Sequence, residues 1–230
     1  LIESVLPAGV TLRPLPDRAL LALQGPAVAA LVPTAMSFMG IQPMEIAGIP
    51  VIASRSGYTG EDGLEISVAA DHAEALAKHL LALPGVQPAG LGARDSLRLE
   101  AGLCLYGNDL DETTNPVEAA LTWSIGKRRK LAWDFTGAEA VREALDHGPA
   151  RIRVGIRPEG RQPARGGTPV QGGGLVTSGG FGPSVGGPVA MGYVPRALAA
   201  DGTALTLEVR GKSLPAQVAS LPFTPHRYAR

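Results

Sequence analysis

The sequence predicts an α+β protein with two parts: a mixed sheet-plus-helix portion over residues 1–149, followed by an all-β, barrel- or jelly-roll-like portion over 150–230. Three observations carry this. The first 150 residues alternate short apolar runs with helical periodicity. The last 80 residues hold 15 glycines and 9 prolines with almost no helical pattern. Those glycines punctuate five short β-like runs rather than a structureless tract, which reads as a small sandwich or barrel.

In the first portion, Ala19 to Leu23 reads as a buried strand, and Pro26 near the first helical position opens a helix with Val28, Leu31 and Val32 on one face. Ile49 to Ala53 is a second strand. In Leu64 to Val68 the residues alternate, with Leu64, Ile66 and Val68 on one face and Glu65 and Ser67 on the other. A helix follows, with Asp71 as its cap, and stops before Pro84. Thr136-Gly137-Ala138-Glu139 has the spacing of a capping box, whose helix ends by Gly148. The boundary between the portions is placed between Asp146 and Arg151. In the second portion the strand-like runs are Ile152–Ile156, Leu175–Thr177, Val189–Val194, Leu205–Val209 and Ala216–Ala219.

Composition excludes several function classes. The 230 residues carry 21 Lys+Arg against 21 Asp+Glu, so no excess basic charge is available for a broad nucleic-acid or anionic-membrane footprint. No apolar run approaches the roughly 20 residues that span a bilayer, and the start lacks a basic, apolar leader. One cysteine, Cys104, forbids an internal disulfide and suits a reducing compartment. His72, His79, His147 and His226 are scattered without ligand spacing, so no metal is expected.

Four segments could carry chemistry. Between two strands, Gly57, Gly60 and Gly63 recur every third residue, but without the strand–loop–helix order of a phosphate loop. Glu65, just beyond, stands opposite the apolar face of its strand. Its carboxylate offers two coplanar acceptors suited to a heterocycle with two adjacent N–H donors, or else it is a solvated glutamate. Gly90 to Gly102 reads as a helix. Its Arg94 lies in the first turn, where a cation opposes the helix dipole and hints at an external partner. The alternative is a surface network of Arg94, Asp95, Arg98 and Glu100. Leu105 to Pro116 is acidic but lacks the calcium-loop register, and reads as a turn leading to a helix at Pro116. Lys127-Arg128-Arg129-Lys130 is a solvated face, a stacking site with Trp123 and Trp133, or a dock for an acidic protein.

Together these strings resemble one family. Leu21-Ala22-Leu23-Gln24-Gly25-Pro26, Gly57-Tyr58-Thr59-Gly60-Glu61-Asp62-Gly63-Leu64-Glu65, Gly92-Ala93-Arg94-Asp95-Ser96-Leu97-Arg98-Leu99-Glu100-Ala101-Gly102 and Leu105-Tyr106-Gly107 occur in the order seen in the aminomethyltransferases (T-proteins) of the glycine cleavage system. Val176 to Gly179, Ala190 to Val194 and Leu221 to Pro225 are similar to the family's C-terminal barrel segments, the last to its closing strand. The resemblance implies transfer of the aminomethyl one-carbon unit of a lipoylated H-protein to tetrahydrofolate, giving methylenetetrahydrofolate and ammonia, with no metal. It implies folate contacts by Glu65, Arg94 and Tyr228, with Tyr58 expected to line the same channel. The basic run Lys127, Arg128, Arg129 and Lys130 is then expected to help dock the H-protein.

The family carries a substantial segment ahead of its Leu-Gln-Gly-Pro motif, and this segment holds the aspartate assigned to catalysis. Only 20 residues precede Leu21 here. The chain therefore resembles an N-terminally truncated copy, and no catalytic residue is assigned within it. A folate-binding fragment inactive alone, and a folate-dependent demethylase of the same superfamily, are the alternatives. Gly182 is a smaller departure, at a position where the family often has serine.

Overall fold

A computed structural model describes residues 2–229, and its contacts divide the chain into two units. The first comprises residues up to Gly57, Glu61–Pro88 and the tail from Arg227; the second comprises Tyr58–Gly60 and Ala89–His226. This division falls at Pro88/Ala89, whereas composition changes near 149/150; contact density and composition mark different features of the chain. Leu1 lies outside the described residues.

In the first unit, β1 (Arg18–Gln24), β2 (Ile41–Ile46), β3 (Ile49–Ser54) and β4 (Gly63–Ala69) form an antiparallel sheet in the order β1-β4-β3-β2. Period-2 patterning fixes its register. Leu64, Ile66 and Val68 of β4 stand beside Leu23, Leu21 and Ala19 of β1, and beside Ala53 and Val51 of β3. This face packs against α1 (Val28–Leu31) and α2 (Ala73–Leu81), through Val28, Leu76 and Leu80. Ile66, Val68 and Leu76 are fully buried, and each such side chain contributes about 1.5–3 kcal/mol. Two expected helix starts move. Pro26 precedes the Ala27 cap of α1. Asp71 sits in a 3-10 turn, Ala70–His72, and makes no capping bond to α2.

In the second unit, α3 (Leu91–Glu100), α4 (Lys127–Ala132) and α5 (Ala138–His147) precede five strands: β5 (Arg151–Pro158), β6 (Leu175–Gly182), β7 (Gly187–Pro195), β8 (Ala204–Val209) and β9 (Lys212–Ala219). Their antiparallel order is β6-β7-β5-β9-β8. The stretch 168–171 joins the two ends of this row. Val176 donates to Thr168 on the β6 side, while Gln171 donates to Thr206 and Glu208 to Pro169 on the β8 side. The sheet thus curls toward a barrel around Ile156, Val176, Ala190, Val194, Leu207 and Val218. The inner seven residues of β7 are all buried. Alternate residues of β7, Val189 and Met191, pack instead with Leu99 of α3 in a separate cluster. A strand covered on both sides reads as a continuous apolar run, as this one does.

Three local expectations fail here. The capping box at Thr136 does not form, because Gly137 in a left-handed conformation (φ +83°) caps α5 without a side-chain bond. Pro116 opens turns rather than a helix: Ala119 donates to Asn115 and Leu121 to Pro116. Leu221 to Pro225 is not a strand; it is held by Thr224 donating to the Glu100 carbonyl.

Candidate functional site

In the first unit the glycine-spaced loop is built on a buried ion pair. Arg55 forks onto Asp62, Nε to Oδ1 at 2.9 Å and Nη2 to Oδ2 at 2.6 Å, and its Nη1 donates to the Met36 carbonyl at 2.7 Å. Hydrogen bonding by the Arg55 guanidinium holds the Asp62 carboxyl below the usual carboxylate range, against the opposing effect of burial. Gln24 lies across the loop, its amide donating to the Ser56 carbonyl at 3.0 Å. A Cβ at Gly57 would come within 1.8 Å of Gln24 Oε1, and one at Gly63 within 2.4 Å of the same amide, which explains glycine at both positions.

Glu65 emerges from this frame. Its neighbours across the strands are Ala22 and Ser54, so it faces away from the buried Leu64 and Ile66. The Ser56 hydroxyl donates to Glu65 Oε2 at 2.6 Å, and Ser54 Oγ lies 2.8 Å from Ser56 Oγ. The one Ser56 hydrogen is committed to Glu65, so Ser54 is the donor in the second bond. The carboxylate is thereby oriented by a two-hydroxyl relay, leaving acceptor capacity for an outside ligand. The tail is seated on the same unit. Tyr228 stacks on Phe38 with centroids 4.1 Å apart and planes 13° from parallel. Phe38 also donates its N–H to the Ala229 carbonyl, and Arg227 pairs with Glu61.

In the second unit, Tyr58 donates its hydroxyl to the Cys104 carbonyl. Burial pushes its phenol pKa up; the charges that act on it include Arg98, Asp109 and Arg94. Arg94 is exposed on α3 and has no ion-pair or hydrogen-bond partner among the described residues. Glu65 and Tyr228 thus belong to the first unit, Tyr58 and Arg94 to the second.

Of the surface network expected around Arg94, the Arg98–Asp95 pair forms, while Arg94 stands outside it. Arg98 and Glu100 are each only 2% exposed. Arg98 Nη1 donates to Asp109 Oδ2 at 2.7 Å, Nη2 to Ser178 at 2.8 Å and to Asp95 at 2.7 Å. A bulge between Val176 and Ser178 lets two consecutive residues reach one carboxylate, since both the Thr177 and Ser178 hydroxyls donate to Asp109. Glu100 Oε1 accepts from the Ser184 and Val185 N–H groups at 2.6 and 2.9 Å, tying α3 to the β6–β7 turn. Gly182 has its reason here: a Cβ would lie 2.8 Å from that same oxygen. Tyr193 donates to the Asp109 carbonyl at 2.8 Å, and burial pushes its phenol up to about 12.

The basic run forms most of α4, and Arg128 and Arg129 both pair with exposed Asp134, at 2.8 and 2.7 Å. Cys104 is half-buried, and burial raises its thiol pKa. Among the described residues no cluster of His, Cys, Asp or Glu could hold a metal, and no helix is long and apolar enough to cross a membrane. Reading the sequence missed Ser56, Phe38 and Asp109. Only Ser56 had a signal, its place two residues past the end of β3 at the loop's start.

Comparison with known proteins bears on this arrangement. The family model for the GCVT N-terminal domain matches residues 2–129, and that for the glycine cleavage T-protein C-terminal barrel domain matches residues 151–224. The mitochondrial aminomethyltransferase of Gallus gallus is 50% identical over 221 residues, covering 90% of this chain and 56% of that protein. The Homo sapiens mitochondrial aminomethyltransferase is 48% identical over 225 residues, covering 92% and 56%. The crystal structure of glycine cleavage system aminomethyltransferase T from Bartonella henselae superposes with a TM-score of 0.83 at 50% identity, covering 93% of this chain and 61% of that one. The chain spans less than two thirds of the length of these curated relatives.

Proposed function

The chain belongs to the glycine cleavage T-protein family, and on that premise we propose that it is an aminomethyltransferase or the folate-binding part of one, passing the one-carbon unit of an aminomethyl-lipoyl H-protein to tetrahydrofolate. In the balanced reaction the carbon–sulfur bond breaks to return the lipoyl thiol, the amine leaves as ammonium, and the carbon bonds to folate N5 and N10 in place of their two hydrogens. Residues 1–149 serve as the folate-binding portion and 150–230 as the barrel portion. The relatives are mitochondrial and bacterial, so the matrix or the bacterial cytoplasm is the proposed setting.

The observation that carries the proposal is the Glu65 carboxylate, held by Ser56 and turned away from the core. A pterin presents its ring N3–H and 2-amino group as adjacent donors, and a carboxylate of fixed orientation accepts both as charge-assisted bonds. Arg94, a cation without a protein partner among the described residues, suits a pterin oxygen or a folate carboxylate. Tyr228, stiffened by Phe38, contributes an aromatic ring. The part played by these residues is positioning of the acceptor nitrogen. The basic run on α4 is proposed to help dock the H-protein, with Lys127 and Lys130 as the cations Asp134 does not engage.

Tetrahydrofolate binding, followed by calorimetry on the 230-residue chain, is the test: saturable binding that Glu65→Gln weakens is expected, and no binding by the unaltered chain refutes the folate reading. Ammonia release from aminomethylated H-protein then separates a complete catalyst from a fragment that binds without turnover. One-carbon transfer from a small methylated donor in the absence of H-protein would point instead to a demethylase.

A further inference from the structure

At one end of the barrel the β5–β6 connection and the β8–β9 turn flank an open-sided cavity of about 620 Å³. Three cations line it, Arg165, Arg210 and Lys212, together with Gln162 and Thr168, and its lining includes no carboxylate and no aromatic ring. In a chain of zero net charge, three like charges around one hollow repel one another unless an anion answers them. None of the three forms an ion pair among the described residues, so no carboxylate of the chain offsets their charge there. Among the described residues, the one side-chain hydrogen bond of Arg165 is long, 3.5 Å to the Gly179 carbonyl.

The turn makes the placement of Arg210 informative. Arg210 and Gly211 have φ of +53° and +74°, a two-residue turn joining the end of β8 to the start of β9. Its first position is normally filled by Asn, Asp or Gly, which tolerate the left-handed conformation; an arginine is strained there. This strained position sets a guanidinium on the cavity wall, two positions from Lys212.

We propose that this cavity is a binding site for a small oligophosphate. Two guanidinium forks and one ammonium match the oxygens of linked phosphates. The volume lies in the range of small-molecule sites. A lining without aromatic rings favours the phosphate chain over a stacked base. Glu65, Tyr58, Arg94 and Tyr228 do not line the cavity, so the site is separate from the proposed folate residues.

Inorganic tripolyphosphate is the probe, titrated calorimetrically into the 230-residue chain at low salt, with tri-glutamate as a carboxylate comparator. One saturable site is expected, weakening as salt is raised. The double variant Arg210→Gly/Lys212→Gln should bind roughly tenfold more weakly or worse. Glycine suits the turn better than arginine, so this variant should keep its unfolding temperature and report binding rather than folding. Absence of saturable tripolyphosphate binding, or unchanged affinity in the variant, overturns the site. Equal binding of tri-glutamate overturns its phosphate character.

Discussion

Replacing Asp109 by asparagine keeps the shape of the side chain and removes its charge. The Asp109 side chain is 0% exposed and that of Arg98 2%, so the charge left on Arg98 loses its fully buried counterion. Breaking a buried pair on one side typically costs about 3–5 kcal/mol. Arg98 keeps a second carboxylate, Asp95, to which both Nε and Nη2 donate, but that side chain is 57% exposed and screened by solvent. The Thr177 hydroxyl, facing the new amide, can redirect its hydrogen to the Met191 carbonyl 3.2 Å away. Both features place the cost at the lower end, about 3 kcal/mol, which corresponds to a fall in unfolding temperature of about 6–12 °C for a protein of this size. Urea unfolding followed by circular dichroism measures it, with Asp95→Asn as reference at about 0–1 kcal/mol. The double replacement Arg98→Met/Asp109→Leu removes both charges and should recover much of the loss. An Asp109→Asn loss no larger than that of Asp95→Asn would refute the assignment of this pair as the tie between α3, the 103–110 loop and β6.

Gly182→Ala should cost about 1–3 kcal/mol in the same assay, because its Cβ meets a carboxylate oxygen pinned by two N–H groups, whereas Gly186→Ala meets no atom within 4 Å and tests only backbone strain. The Asp62 carboxyl is held down when folded, so its contribution is complete above the unfolded value of about 3.9 and fades as pH falls through the folded value. Acid unfolding of Asp62→Asn should accordingly show a shallower pH dependence than that of the parent. Glu65→Gln should weaken tetrahydrofolate binding by about 1.5–3 kcal/mol, or roughly tenfold to a hundredfold, while leaving the unfolding temperature within a few degrees. Lys127→Glu/Lys130→Glu should weaken H-protein association mainly at low salt, and affinity unchanged there would remove the docking role.

Where the fold follows from local periodicity, the sequence is readable. The alternation in β4 correctly sends Leu64, Ile66 and Val68 inward and Glu65 outward, and all five C-terminal strands lie where the glycine-punctuated runs place them. Long-range pairing is the part that local pattern does not encode. Arg98 and Glu100 look like members of a solvated helix face until Ser178 and Ser184, 80 and 84 residues onward, provide their partners. β2 escapes notice because its outer residues are exposed and Pro43 interrupts it. The stack of Phe38 on Tyr228 spans nearly the whole chain. At the proposed folate residues the types were legible, but the hydroxyl relay that orients Glu65 depends on Ser54, the last residue of β3, and on Ser56, whose one signal is its place at the start of the loop.

The stretch 168–171, hydrogen-bonded to Val176 of β6 and to Thr206 and Glu208 of β8, covers part of each outer strand of the C-terminal sheet, where another chain would otherwise add a strand. The N-terminal sheet differs: β2 is blunted by Pro43, while β1, along the apolar run Ala19 to Leu23, pairs among the described residues with β4 on one side and with no strand on the other. If the protein polymerises under stress, amyloid-like addition should therefore begin at β1, and a lysine at exposed Leu20 is the substitution that should slow it.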